Sequence, residues 1–270
     1  MAHGTAKVPA PRPADEPAIE VRDVHLAFGS KPVLKGVDLR IARGETVTLL
    51  GESGSGKTVL LKVILGLLTP DRGLVRLLGT DIVGASDDVL LPVRARCGVV
   101  YQQGALYSGM TVAENIALAL KEVLHLRKDE VADRIRESLD AVGLGAIDAG
   151  MNPAELSGGM KKRLAVARAV APRPEVLFYD EPTSGLDPLN SARILGLIQS
   201  LHDRLHVTSI VVTHDVLGAC GISNRMVLLS DGRLAFDGTP AEFLTCAVPV
   251  VRTFRESAPG VSKAPPVAAS

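Results

Sequence analysis

The chain has 270 residues, and 46% of them are hydrophobic, enough to bury a substantial core in one large α/β domain or two small ones. Its 30 lysines and arginines balance 30 aspartates and glutamates, so no global field points to nucleic acid or to an anionic membrane, and any phosphate binding must be local. No run of about eighteen or more apolar residues occurs, which excludes a membrane-spanning helix.

The opening MAHGTAKVPAPRPADEP has no apolar h-region and is not expected to act as a secretory signal. Residues 1–18 and the final APGVSKAPPVAAS are rich in Pro and Ala without periodicity and read as disordered tails. Between them, AIEVRDV is the first strand, and ETVTLL is the second, running through a glycine-rich loop into the apolar helix VLLKVILGLL, Val59 to Leu68. Lys62 and the shortness of that helix suit a core position. CGVVYQ is a further strand. Thr111, with Glu114 three residues on, makes a capping box before VAENIALALKEVL.

From about Gln103 to Arg168 there are helices but no convincing strand, which predicts a helical subdomain inserted into the core. Strands EVLFYD, TSIVVTH and RMVLLS follow, separated by the helix PLNSARILGLIQSLHDRL, which Asp187 and Pro188 start. Thr239, Pro240 and Glu242 begin a last helix in the same manner. Several strands are continuous apolar runs, and their alternation with helices implies a mainly parallel, doubly wound sheet. Cys97, Cys220 and Cys246 match neither a disulfide framework nor a zinc site and read as small core thiols in a reducing compartment.

Four sets of residues carry chemistry. Gly51, Glu52, Ser53, Gly54, Ser55, Gly56, Lys57 and Thr58 fit G-x-x-x-x-G-K-[ST] between a strand and a helix, the context a phosphate loop requires. Glycines let successive amides point at phosphate oxygens, Lys57 reaches the β and γ phosphates, and the Thr58 hydroxyl can ligate Mg²⁺. Asp180 and Glu181 end a strand and point opposite ways, which assigns Asp180 to Mg²⁺ and Glu181 to the attacking water. His214 and Gln102 fall at the C-terminal edge of the sheet, where α/β proteins bind ligands; this favours His214 as a γ-phosphate contact. The fourth stretch, ELSGGMKKRLAVARAV, places Lys161, Lys162 and Arg163 in the first turn of a helix, where the dipole disfavours cations by roughly a few tenths of a kcal/mol each unless an anion sits on that terminus. A solvated basic face is the other reading of Lys161 and Lys162.

The phosphate loop, the Gln102 loop, LSGGM, DEP, SGLD and His214 occur together in the order and spacing of an ATP-binding cassette (ABC) nucleotide-binding domain, which the chain resembles from about Ile19 to Phe243. That resemblance implies a P-loop NTPase core with an N-terminal antiparallel β subdomain, a domain over 19–245 with the helical insertion at about 103–168, and a C-terminal extension over 246–270, partly disordered. It implies ATP and Mg²⁺ as cofactors, with Thr58, Gln102 and Asp180 at the metal, Phe28 stacked on adenine, and Glu181, His214, Gln102 and Lys57 as the catalytic set. Ser157, Gly158 and Gly159 would face the ATP of a second copy in a head-to-tail homodimer, whose arriving anion would compensate the basic first turn. Met160 stands where the family usually has Gln, and a thioether cannot reproduce an amide's hydrogen bonds.

YQQGALYSGMTVAENIALAL and the LSGGM variant together are similar to the Mla-type or Mkl-type cassette, the ATPase of lipid transporters that work with MCE-domain proteins. This implies phospholipid transport across the cell envelope, a peripheral position on the cytoplasmic face of the inner (plasma) membrane, and a polytopic permease. It also implies an MCE-domain lipid-binding protein and, in some systems, a STAS-domain subunit. The C-terminal VVRTFRES is similar to a tail that in that group embraces the opposite ATPase copy. Gly104 and Gly109 bracket ALYS, which would expose Leu106 and Tyr107 as a permease-docking loop; burial under the helical subdomain is the other reading. The alternatives are an importer of amino acids (the methionine type included) or another small solute, and a non-transport ABC ATPase of DNA repair or translation. The last is disfavoured by the missing coiled-coil insertion and the absence of a basic excess, and no nucleic-acid partner is expected.

Overall fold

The computed structural model describes residues 16–258. Of the regions read as tails, 1–15 and 259–270 lie outside them, whereas Ala18, placed in the N-terminal tail by the sequence, is fully buried and bonds through its N–H to the Ile41 carbonyl at 2.9 Å, so the folded part starts just before Ile19.

A four-stranded antiparallel sheet comes first, in the order β2(Lys31–Ile41), β1(Ile19–Phe28), β4(Arg72–Leu77), β5(Thr80–Asp81). Of these strands only β1 is legible as a continuous β-rich run. The others are short or interrupted: β2 bends at Gly36, φ 82°, and β4 turns into β5 through Leu78 and Gly79, both at positive φ.

The second sheet has six strands in the order β10(Arg233–Gly238), β9(Arg225–Ser230), β3(Thr46–Leu50), β8(Thr208–Val212), β7(Val176–Asp180), β6(Cys97–Val100). All neighbours are parallel except β9 with β10. The β9–β10 hairpin turns at Asp231 and Gly232, φ 47° and 73°; two left-handed residues in a row match the right-handed strand twist, and Asp-Gly is the usual sequence for such a turn. The register sets Leu49 beside Val212, Val212 beside Asp180 and Tyr179 beside Val100. The carboxyl ends of β3, β8, β7 and β6 therefore stand in a row.

Helices cover this sheet on both faces. On one side α1(Lys57–Ile64) and α2(Asp87–Arg94) share a core with the antiparallel sheet. Helix α1 ends four residues before the expected Leu68, because Gly66 adopts φ 65° and the Leu67 N–H turns back to the Lys62 carbonyl at 2.8 Å. On the other side lie α3(Val112–Glu122), α4(Lys128–Ala141), α5(Gly158–Val170) and α6(Pro188–Leu205), with α7(Val216–Ile222) after β8. Between β6 and β7 the described elements are all helices. Thr111, Asp187 and Thr239 cap α3, α6 and α8(Pro240–Thr245), and the boxes with Glu114 and Glu242 are complete. Helix α9(Pro249–Ser257) closes the chain on a third, smaller core through Val251 and Phe254, with the Arg255 guanidinium on the Phe243 and Cys246 carbonyls, both at 3.1 Å. Cys97, Cys220 and Cys246 are half-buried free thiols; burial pushes Cys97 up to about 12, which makes it inert.

Candidate nucleotide site

A cleft of about 570 Å³ opens over the row of strand ends. It is lined by Gly51, Glu52, Ser53, Gly54, Lys57 and Thr58 after β3, by Gln102 after β6, by Asp180 and Glu181 at the end of β7, and by His214 after β8. Four segments far apart in sequence thus meet because the parallel order β3-β8-β7-β6 presents one end of each strand to the same side.

The loop after β3 is shaped by backbone approach. A Cβ on Gly51 would lie 2.5 Å from the Leu229 carbonyl oxygen, and one on Gly56, φ 105°, would press on Leu34 at 3.2 Å. Gly54, φ 80°, faces open space. Gly56 caps α1 without a side-chain hydrogen bond, so the first-turn amides remain for an anion. Lys57 is buried, and its Nζ donates to the Gly51 and Glu52 carbonyls at 2.7 and 2.8 Å. Burial holds its ammonium below the usual lysine value, against the opposing pull of Glu181, Asp180 and Glu52.

Across the cleft, burial and the Glu181 carboxylate hold Asp180 above the usual carboxylate value, with Lys57 and Lys62 opposing. Glu181 adopts φ 49°, a left-handed conformation uncommon for a non-glycine residue and typical of constrained sites. Its N–H donates to the Val212 carbonyl at 2.9 Å, and its carboxylate sits 3.0 and 3.1 Å from His214 Nδ1. The His214 side chain is 68% exposed and that of Glu181 15%, so the imidazole covers the carboxylate from the solvent side.

Among the described residues no group of three or more His, Cys, Asp or Glu forms a metal cage. Thr58, Gln102 and Asp180 offer one carboxylate and two neutral oxygens. That donor set fits Mg²⁺, which keeps waters and substrate phosphates in its remaining positions, and does not fit a metal that needs an all-protein shell. The same loop, with a close-packed Gly51, an open Gly54 and uncapped amides, fits nucleotide phosphates.

Not every residue expected at the site lines this cleft. Phe28 ends β1 with 53% exposure, outside the lining. Ser157, Gly158 and Gly159 begin α5, also outside it; the Ser157 hydroxyl accepts from the Met160 N–H at 3.3 Å, and nothing lies within 4 Å of a Cβ on Gly158. The basic first turn of α5 is not a solvated face at Lys162, which is buried with its Nζ on the Gln102 carbonyl. Lys161 donates to the Ala154 carbonyl at 3.3 Å and Arg163 to the Gly143 carbonyl at 3.1 Å, so backbone oxygens already compensate all three cations. Met160 is half-buried against the core beneath it.

Leu106 is also packed on that core, contrary to the expected exposure, while Tyr107 is 50% exposed. Arg168 fixes the loop by donating to the Ala105 and Gly104 carbonyls at 2.6 and 2.9 Å, and Asn115 pairs with both the N–H and the carbonyl of Tyr107. Helix α9 packs on the third core of its own chain and, with Ala258 just after it, brings Phe254 and Ser257 to the cleft. These three cleft residues were missed because no local signal ties them to the phosphate loop.

The sequence profile of the family described as ABC transporter matches residues 34–184. The chain is 40% identical over 237 residues to the probable ribonucleotide transport ATP-binding protein mkl of Mycobacterium leprae, covering 88% of this chain and 68% of that protein. It is 39% identical over 234 residues to the methionine import ATP-binding protein MetN of Brucella abortus, covering 87% of this chain and 63% of the relative. Among solved structures, the dimeric post-hydrolysis state of the ATP-binding cassette MJ0796 bound to ADP and Pi superposes with a TM-score of 0.75 at 32% identity, over 82% of this chain and 98% of that one. CbiO1 of Clostridium perfringens, part of the ABC transporter complex cbiONQ, gives 0.79 at 27% identity, over 90% and 96%.

Proposed function

From the premise that this chain belongs to the ABC transporter ATP-binding family, whose members are ATPases that bind ATP with Mg²⁺ and are coupled to transport, we propose that it powers phospholipid movement through a membrane permease. In this reading the domain spans 19–245 with a helical insertion at about 103–168, and two copies associate head to tail on the cytoplasmic face of the membrane. The relatives support the ATPase and differ in cargo: one is named for ribonucleotides and another for methionine. The lipid reading rests on the Q-x-G-A-L loop at Gln102–Leu106 and on Met160 in the signature, and its partners would include an MCE-domain protein and a STAS-domain subunit.

The observation that carries the chemistry is Glu181, strained, half-buried and held by His214 opposite the phosphate loop. The amides of 51–57 and the Lys57 ammonium bind the triphosphate, which draws Lys57 from the Gly51 and Glu52 carbonyls. Glu181 accepts the proton of the water that attacks the γ-phosphate in line, and His214 fixes the carboxylate for that transfer. Thr58, Gln102 and Asp180 would hold Mg²⁺, which would supply positive charge to the phosphate oxygens. Phe28 stacks on the adenine. Ser157 with the Gly158 and Gly159 amides serves the ATP of the second copy, which accounts for a capped glycine-rich helix start that lies outside the phosphate-loop cleft.

Import of methionine or a similar solute is the second reading, carried by the MetN similarity. Isolation of the intact membrane complex, identification of bound lipid and assay of ATP-dependent lipid transfer between vesicles separate the two. Bound phospholipid with transfer supports the proposal; a lipid-free complex whose ATPase responds to an amino acid overturns it.

A further inference from the structure

Lys162 is 9% exposed, and its position on α5 explains this: four and eight residues on, Val166 and Val170 are buried on the same helical stripe, which packs toward the sheet. A lysine on such a stripe must find acceptors for its ammonium or leave a buried charge unpaired, which is costly. Its acceptors are not scattered. Nζ donates to the carbonyl oxygen of Gln102, approaches that of Glu181 at 3.5 Å, and donates to the Ser184 hydroxyl at 3.3 Å. Burial lowers its proton affinity and the nearby Glu181 carboxylate opposes that fall.

Gln102 and Glu181 both line the cleft opposite the phosphate loop, and Lys162 takes hold of both at the main chain. Glu181 is thereby fixed on two sides in its left-handed conformation, through its N–H by Val212 and at its carbonyl by Ser184 N–H and Lys162. The helix that carries Lys162 begins at Ser157.

We propose that Lys162 is a positioning residue that ties the start of α5 to the backbones of Gln102 and Glu181, so that the surface offered to a second copy and the chain's own catalytic edge move as one body. The inference rests on the roles given to Gln102, Glu181 and Ser157 above and adds a residue that lies outside the cleft lining and acts through the backbone. A small displacement of a general base costs about two orders of magnitude in rate when the donor that fixes it is lost, whereas the phosphate-binding amides, on a different segment, are untouched.

The test compares Lys162→Met, which removes the donors at similar volume, with Lys162→Arg, which restores a cation with several N–H groups, in the full chain with Glu181→Gln as control. Expected for Lys162→Met is a fall in kcat of ~10- to 100-fold with the dissociation constant for ATP within about twofold of wild type, and partial recovery of kcat in Lys162→Arg. Unchanged kcat in Lys162→Met, or kcat and affinity falling in parallel, overturns the proposal. Should Lys162→Met not fold, Lys162→Gln decides: a folded variant with low kcat and normal affinity supports positioning, and full activity or a second failure to fold overturns it. Retained hydrolysis in Glu181→Gln would instead bring down the catalytic reading beneath it, so the two failures are told apart.

Discussion

At the start of α1, Gly56 supplies no capping side chain, the first-turn amides stay open, and Lys57 is folded back over the Gly51 and Glu52 carbonyls at the centre of the cleft. At the start of α5, Ser157 caps its own helix, and Lys161, Lys162 and Arg163 all end on backbone oxygens. Both starts are rich in glycine and followed by cations on backbone carbonyls, but Lys57 bonds within the loop that lines the cleft, whereas Lys161, Lys162 and Arg163 tie α5 to Ala154, Gln102 and Gly143. A glycine-rich basic helix start is therefore not one kind of site. In the proposed reading, what α5 keeps for a ligand is the Ser157 hydroxyl and the main chain of Gly158, which faces open space, and of Gly159, which has Asn190 Oδ1 3.5 Å from where a Cβ would sit.

That contrast can be broken most severely at α1. Lys57→Ala removes charge-assisted hydrogen bonds at the phosphates, worth about 1.5–3 kcal/mol, so ATP affinity measured by titration calorimetry falls ~10- to 100-fold and hydrolysis is lost with it. At α5 the effect splits. Ser157→Arg leaves affinity within about twofold but lowers hydrolysis by ~10²- to 10³-fold, the scale of losing one oxyanion donor. Equal loss of affinity in the two variants would put Ser157 in the same cleft as Lys57. The smallest effect concerns the loop beside Gln102. Leu106→Asp places a charge against the packed core and lowers the melting temperature by about 2–8 °C, taking a cost of ~1–2 kcal/mol, whereas Tyr107→Asp leaves melting within ~1 °C as an exposed substitution does. Tyr107→Asp should release the protein from its permease in a co-purification assay; equal melting of the two variants would show that Leu106 is not core.

The same two regions mark how far the sequence could be read. Glycine spacing, the pair Asp180 and Glu181, and the caps at Thr111, Asp187 and Thr239 are local signals, and the structure sets them where local chemistry puts them. The strands β2, β4 and β10 were less legible, because bulges and turns divide them, although Asp231-Gly232 was a hairpin signal in plain view. What the sequence concealed is tertiary. Whether a lysine in a basic run faces water or the sheet depends on helical phase against a partner, and only the 162, 166, 170 stripe hinted at it. Leu106 was read as exposed because glycines flank it, yet Arg168 and Asn115 pin the loop and turn that side chain inward. The left-handed Glu181 and the seat of α9 beside the phosphate loop have no local signature at all.

The claim that α5 is half of a site completed by a second copy is tested most directly by the size of Glu181→Gln with ATP and Mg²⁺ in light scattering coupled to size exclusion. The substitution keeps the shape of the carboxylate and removes the base, a loss of ~10²- to 10⁴-fold in rate, so bound ATP persists. The account predicts that this variant runs as a dimer only when ATP is present and that adding Ser157→Arg returns it to a monomer with ATP still bound. A Glu181→Gln protein that binds ATP and stays monomeric would contradict it.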